Sequence, residues 1–153
     1  MEHVNDQLFL AINAGAHPPE FALLIALFLA NWLVPLTILL FGLLWIRKAA
    51  PDRAALITAT VTMLIGLGVN QLIGLVYFHP RPFMIGLGHQ YLPHPPDNSF
   101  PSDHATFMWS LAFALLALGA LRAWAILLVA GGIAIAWARV YVGVHFPFDM
   151  AGS

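Results

Sequence analysis

Cysteine is absent from this 153-residue chain. That removes disulfides, thiolate metal sites and thiol nucleophiles together. Charge is nearly as scarce: Asp, Glu, Lys and Arg make up 8% of the residues, against roughly 25% in soluble domains. A soluble fold with so little charge would need an oversized core and almost no surface, yet a chain of this length still exposes about a third of its surface. The net charge of −1 offers no basic face for nucleic acid. The first residues carry Glu2 and Asp6 and no Lys or Arg, so Leu8–Ala16 lacks the basic start of a signal peptide. The apolar runs lack the period-two alternation of barrel strands.

What remains is hydrophobic, at 61% of residues. It is gathered into four runs, Phe21–Ile46, Ala54–Phe78, Ala105–Leu121 and Ala123–Val144. Crossing about 30 Å of hydrocarbon takes roughly 20 apolar residues as helix. Three runs meet that length, and the third, at 17 residues, sits at the lower limit. Because helices satisfy their own backbone in lipid, the expected fold is all-α. It is a polytopic transmembrane bundle of one membrane-embedded domain over residues 1–153, with four full spans and the start of a fifth. Val4, Leu8 and Ile12 recur at helical spacing, which predicts a short interfacial helix over Val4–Ala14. Pro35 is expected to kink the first span, with Asn31 and Trp32 marking a local packing or hydration defect.

The connection after the first run carries Arg47, Lys48 and Arg53, and Arg122 sits between the third and fourth runs. By the positive-inside rule these loops face the cytoplasm. The N-terminus, the His79–Asp103 connection and the end of the fourth run then face outward. Rich in Pro, Gly and His, that connection must cap a cavity or sit at the interface, because irregular backbone is not tolerated against lipid. Arg81 and Arg139 fall on the outer side against the charge bias. A cation that breaks the bias points to a specific anion.

The outward polar residues form three clusters: His79-Pro80-Arg81-Pro82, Ser99-Phe100-Pro101-Ser102-Asp103-His104, and Arg139 through His145 to Asp149. Together they resemble the ordered motifs of the type 2 phosphatidic acid phosphatase family. Arg81-Pro82 matches the end of its first motif, with Gly74 where that motif has Lys. Pro101-Ser102-Asp103-His104 matches the second, with Asp103 in place of Gly. Arg139, His145 and Asp149 match the third at the family's intervals, with Ala138 in place of Ser. Asp103 and the run Ala-Arg-Val-Tyr-Val-Gly-Val-His are similar to the bacterial undecaprenyl-diphosphate phosphatase branch.

The resemblance implies a bacterial inner-membrane hydrolase, active on the extracytoplasmic side, that recycles the carrier lipid of cell-wall synthesis. His145 would be the nucleophile, forming a phosphohistidine. Phosphoryl transfer needs neutralised equatorial oxygens, an in-line nucleophile and a protonated leaving group. Arg81 and Arg139 supply planar, permanently cationic donors, so no metal ion or other cofactor is required. Ser102 can donate its hydroxyl, and free N–H groups at the start of the third run can bind the anion. Asp149, placed by Pro147 in a new first turn, would orient His145. His104 would protonate the leaving oxygen and then activate water. Asp103 is expected to orient His104 or an arginine while its N–H binds phosphate oxygen.

His89 and His94 read as solvated loop histidines rather than metal ligands. His79, two residues from Arg81, could take part of the absent Lys role. The expected partners are a polyprenyl or other lipid phosphate substrate and the surrounding membrane lipids. Two alternatives stay open: a phosphatase of phosphatidic acid or phosphatidylglycerophosphate, and a non-catalytic lipid-phosphate binder or transporter. The family resemblance also implies a final spanning helix after Asp149, of which this sequence holds only the start.

Overall fold

The structure is a computed structural model and describes residues 2–153. It contains six α-helices: α1 (Glu2–Ile12), α2 (Glu20–Arg47), α3 (Ala50–Val76), α4 (Asp103–Ala117), α5 (Arg122–Tyr141) and α6 (Pro147–Ala151). A short 3₁₀ turn, Pro82–Ile85, lies in the long α3–α4 connection. No strand occurs among the described residues. The all-helical bundle expected from the apolar runs is what the chain forms.

At 1.5 Å per residue, α2 and α3 are each about 40 Å long and α5 about 30 Å. These three are long and apolar enough to cross a membrane. Helix α4 stops at Ala117 after 15 residues, about 22 Å. It forms the centre of the bundle, packed chiefly against α3 and α5, with Phe107, Met108, Leu111 and Leu115 buried. Outward faces carry Leu39, Leu64, Leu72 and Ile133, all exposed. Water would penalise such a surface, and hydrocarbon does not.

Small residues set the helix spacing, as they do where apolar burial alone does not drive helices together. Ala26 and Ala30 of α2 meet Ala138 of α5. A Cβ at Gly66 of α3 would lie 2.9 Å from Ser110 Oγ, and one at Gly132 of α5 would lie 2.5 Å from the Trp109 ring. Helix α4 is therefore wedged tightly on both sides, which fixes the depth of its N-terminus.

Helix α1 is more than an interfacial rod. Phe9 is fully buried and its ring lies 5.4 Å from that of Phe146. Asn5 Oδ1 accepts from the Phe148 N–H at 3.0 Å. Asn13 Nδ2 donates to the carbonyls of His89 (2.9 Å) and Tyr141 (3.1 Å). The N-terminal segment thus clamps the α5–α6 corner onto the α3–α4 connection. Pro35 lies inside an unbroken α2, and Asn31 Nδ2 donates to its own helix at Leu27 O.

Candidate active site

The α5–α6 corner positions the central residues. Helix α5 ends in a Schellman motif: the Val144 N–H donates to Arg139 O at 3.1 Å and the Gly143 N–H to Val140 O at 3.1 Å. Gly143 adopts φ +83°, a left-handed conformation that glycine takes without cost. The chain reverses there, and two residues later His145 turns inward. Pro147 opens α6 at the position where a missing N–H matters least. Asp149, two residues on, reaches back so that its Oδ2 accepts from the Phe146 N–H at 2.8 Å, the reciprocal half of a capping box.

That carboxylate is a hub. Oδ2 also accepts from Ser99 Oγ and lies 3.3 Å from His145 Nδ1. Oδ1 lies 3.2 Å from His79 Nδ1. Asp149 is 1% exposed and His145 2%. With Nδ1 against a carboxylate, the network assigns the proton to Nδ1 and leaves a lone pair on Nε2. Arg81 Nη1 donates to that Nε2 at 3.0 Å. Burial pushes the His145 imidazolium down to about 3, with Arg139 and Arg81 adding to the effect and Asp149 opposing it. His145 is thus neutral at pH 7, with its free nitrogen facing a guanidinium.

Arg81 sits between Pro80 and Pro82 in extended backbone, the conformation a following proline favours. It is 5% exposed. Its Nε donates to Asp97 Oδ1 at 2.7 Å, and its Nη groups donate to the carbonyls of Val144 (2.7 Å) and Asn98 (3.1 Å). Arg139, in the last turn of α5, is 3% exposed, and among the described residues its Nε has no hydrogen-bond partner. A buried donor left unpaired costs about 1–3 kcal/mol, more when charged, so this guanidinium is suited to an incoming anion.

Arg81, Arg139, His145 and His104 line one cavity of about 300 Å³, together with Asp103 and His94. This is the low end of the roughly 300–1,000 Å³ of ligand pockets, and it fits a headgroup rather than a whole lipid. No cluster of His, Asp and Glu with metal-holding geometry occurs among the described residues.

Residues 55–153 match the model of the PAP2 superfamily. The chain belongs to that superfamily. It is a membrane lipid phosphatase, a phosphoric ester hydrolase. It is 36% identical to YbjG of Escherichia coli over all 153 residues, covering 77% of that protein. It is 33% identical to the undecaprenyl-diphosphatase BcrC of Bacillus subtilis over 98% of this chain and 77% of that one. The fold superimposes on the crystal structure of Aquifex aeolicus LpxE with a TM-score of 0.74 at 23% identity, covering 97% of this chain and 86% of the other.

Within this PAP2 fold, several sequence expectations need correcting. Ser102 does not line the cavity. It is fully buried as the N-cap of α4, its Oγ accepting from the Ala105 N–H at 3.5 Å. Its hydroxyl faces the helix because an N-cap serine finds backbone donors there first. Asp103 does line the cavity, but its hydrogen bonds are to neither His104 nor an arginine. Asn70 Nδ2 donates to its Oδ1 at 2.9 Å and Gln71 Nε2 to its Oδ2 at 3.3 Å. His79 does not stand in for the absent Lys on the anion; it lies behind Asp149. His94 is no solvated loop residue. It lines the cavity, its ring 6.4 Å from that of His145, and burial lowers its basicity. His89 is exposed, as expected.

Asn70, Gln71, His94, Asp97 and the hydroxyl of Ser99 are site residues that the sequence motifs do not single out. An adjacent amide pair in the second apolar run was the available signal, since polar side chains in a span act between helices. Nothing comparable marked Asp97, which reaches Arg81 only through the fold of the loop.

Proposed function

We propose that this membrane lipid phosphatase hydrolyses undecaprenyl diphosphate to undecaprenyl phosphate and inorganic phosphate through a phosphohistidine on His145 Nε2. One observation carries the reading: His145 Nδ1 is turned to Asp149 while Nε2 lies 3.0 Å from Arg81 Nη1, in a cavity that Arg139 and His104 also line. On binding, the terminal phosphate takes Arg81 Nη1 away from Nε2 and gives Arg139 Nε its partner. Nε2 attacks phosphorus, the bond to the bridging oxygen breaks, and His104, which takes up a proton once the diphosphate's negative charge lies beside it, delivers that proton to the departing lipid phosphate. Asp149 stabilises the ring charge that develops. Water then attacks the phosphohistidine, His104 takes its proton, and the P–N bond breaks to release inorganic phosphate and restore His145.

The diphosphate preference rests on the relationship to BcrC and on a headgroup-sized cavity. The outward-facing site rests on charge: Arg47, Lys48, Arg53 and Arg122 lie at the opposite ends of the helices from Arg81 and Arg139, as expected for a site away from the bacterial cytoplasm. The test is phosphate release from undecaprenyl diphosphate by purified protein with chelator present, run beside phosphatidic acid. His145→Ala should lose turnover by at least about 10⁴-fold, with Arg122→Ala near wild type. A faster rate on phosphatidic acid would refute the substrate, and turnover surviving His145→Ala would refute the mechanism.

A further inference from the structure

The mechanism above uses one face of Asp149, and the other face is also occupied. His79 Nδ1 lies 3.2 Å from Asp149 Oδ1, so one buried carboxylate bridges two imidazoles, His145 on Oδ2 and His79 on Oδ1. The His79 position is built rather than incidental. Its N–H donates to Asn98 Oδ1 at 2.7 Å and its carbonyl accepts from the Ser99 N–H at 2.8 Å. Its ring is stacked 6.3 Å from Tyr77 and tilted 5.2 Å from Phe146. The His79 side chain is 16% exposed where that of Asp149 is 1%. It opens onto a second cavity of about 300 Å³, lined by Glu2, Asn5, Tyr77, His79 and Asp149. His79 therefore exchanges protons with solvent on a side that substrate in the first cavity does not block.

We infer that His79 is a positioning residue that controls, through Asp149, how much negative charge faces the His145 ring. The inference rests on the His145 mechanism proposed above. When His79 is neutral, its Nδ1–H orients the carboxylate and the full charge of Asp149 supports the cationic phosphohistidine. When His79 carries a proton, the His79–Asp149 pair is neutral overall and that support weakens. The groups facing His79 are Asp149 from α6, Glu2 and Asp6 from α1, and Tyr77 from its own segment. Its hydrogen bond to Asp149 raises its basicity, burial opposes, and the charges of Asp149, Glu2 and Asp6 add to the increase. Protonation of His79 is thus favoured relative to a free imidazole, whereas burial disfavours that of His145.

The experiment is kcat and KM against pH, from about pH 5 to about pH 8.5, for wild type, His79→Asn and His79→Ala with undecaprenyl diphosphate. Asn keeps an N–H near the Nδ1 position and cannot be charged. Wild-type kcat should drop about tenfold below the His79 midpoint, as expected for coupling of one pK unit. His79→Asn should lose that step with KM little changed, and His79→Ala should be low throughout. An acid step persisting in His79→Asn, or one carried by KM, would overturn the role. A second measurement needs no substrate. In ¹⁵N-histidine-labelled protein the His79 ring should titrate above about 6.5, and Asp149→Asn should move its midpoint down. A His79 midpoint unmoved by Asp149→Asn overturns the inference even if lipid diphosphate is turned over. A moved midpoint in protein that spares lipid diphosphate faults the substrate reading alone.

Discussion

Gly143 gives the sharpest test of how the α5–α6 corner holds His145. Gly143→Ala faces two separate penalties. The φ of +83° costs an L-residue roughly 1–2 kcal/mol. A Cβ there would also lie 2.1 Å from His89 O and 2.9 Å from its carbonyl carbon. Both are backbone atoms, held by the Asn13 amide that donates to His89 O and accepts from its N–H. They cannot rotate aside as a side chain would, and overpacking of this kind costs a further 1–3 kcal/mol, roughly. Gly86 supplies the control: its φ is +70°, but nothing lies within 4 Å of its Cβ position. Gly86→Ala should therefore cost only the first penalty. In a chain of this size about 1 kcal/mol moves Tm by about 2–4 °C. Thermal melting should place Gly86→Ala a few degrees below wild type and Gly143→Ala about two to three times further down. Activity should separate them more strongly. Gly143 lies two residues from His145, and a shift of about 1 Å in a reacting group can cost on the order of 10²-fold. Phosphate release should fall by about that factor in Gly143→Ala and stay near wild type in Gly86→Ala. Equal melting temperatures, or equal rates, for the two variants would refute this account of the corner.

Arg139→Met should trade function for stability. It replaces a buried, partly unpaired guanidinium with an apolar side chain, so Tm should rise by an amount worth about 1–3 kcal/mol while turnover falls by about 10³-fold or more; a lower Tm would contradict the unpaired donor. Acid should weaken the fold through His145. Unfolded, its ring binds a proton below about 6.5, whereas folded it does so only near 3, so its contribution is complete above 6.5 and lost as pH falls. By pH 5 the loss is about 2 kcal/mol, and melting curves should show that slope shrinking in His145→Gln. His79 works in the opposite sense, its contribution present below 6.5 and lost as pH rises through its raised folded value. Asn70→Ala removes donors to Asp103 and Thr106, each 2.9 Å away. Denaturant unfolding should register a loss of about 1–3 kcal/mol, and Thr58→Ala, whose hydroxyl bonds only to its own helix at Ala54 O, should not.

The helices were legible because membrane spans are written in composition. The run Phe21–Ile46 became Glu20–Arg47, and Ala123–Val144 became Arg122–Tyr141, shortened where Gly143 closes the helix. Arg81, Arg139, His145 and Asp149 were legible as candidates because charged and titratable groups at a membrane edge have few structural uses. The depth of α4 was not, since a 15-residue helix is shorter than its apolar run and is placed by Gly66 and Gly132 on its neighbours. Nor were the partners of Asp103 and Asp149. Ser102 and Ser99 look equivalent in the sequence, three residues apart in one polar stretch. One caps a helix and the other bonds to Asp149 because of where the α3–α4 connection crosses α6, which no local pattern records.

The absent Lys of the first motif takes on a physical meaning in this geometry. Gly74 lines the same cavity as Arg81 and Arg139, and a Cβ there would lie 3.4 Å from Asn98 Nδ2, so the place a Lys stem would begin is next to a neutral amide. Arg81 is shared with Asp97, and Asp103 also faces the cavity. The charge the pocket offers an anion is therefore modest for two guanidiniums. Asp103 is held by two amides on α3, Asn70 and Gln71, which lets a carboxylate sit near a phosphate without pairing with either arginine. That arrangement leaves Arg139 Nε unpaired, because both oxygens of Asp103 already have their donors. Removing the restraint should therefore act on Arg139. In Gln71→Ala, Asp103 Oδ2 loses its amide partner and can turn to the guanidinium, which then competes with substrate. KM for lipid diphosphate should rise by about three- to tenfold, the value of one charge-assisted hydrogen bond partly lost, with kcat little affected. Adding Asp103→Asn to Gln71→Ala should bring KM back, because the neutral amide no longer competes. A KM unchanged in Gln71→Ala, or one not restored in the double variant, would mean that the amide pair does something other than keep the second arginine free.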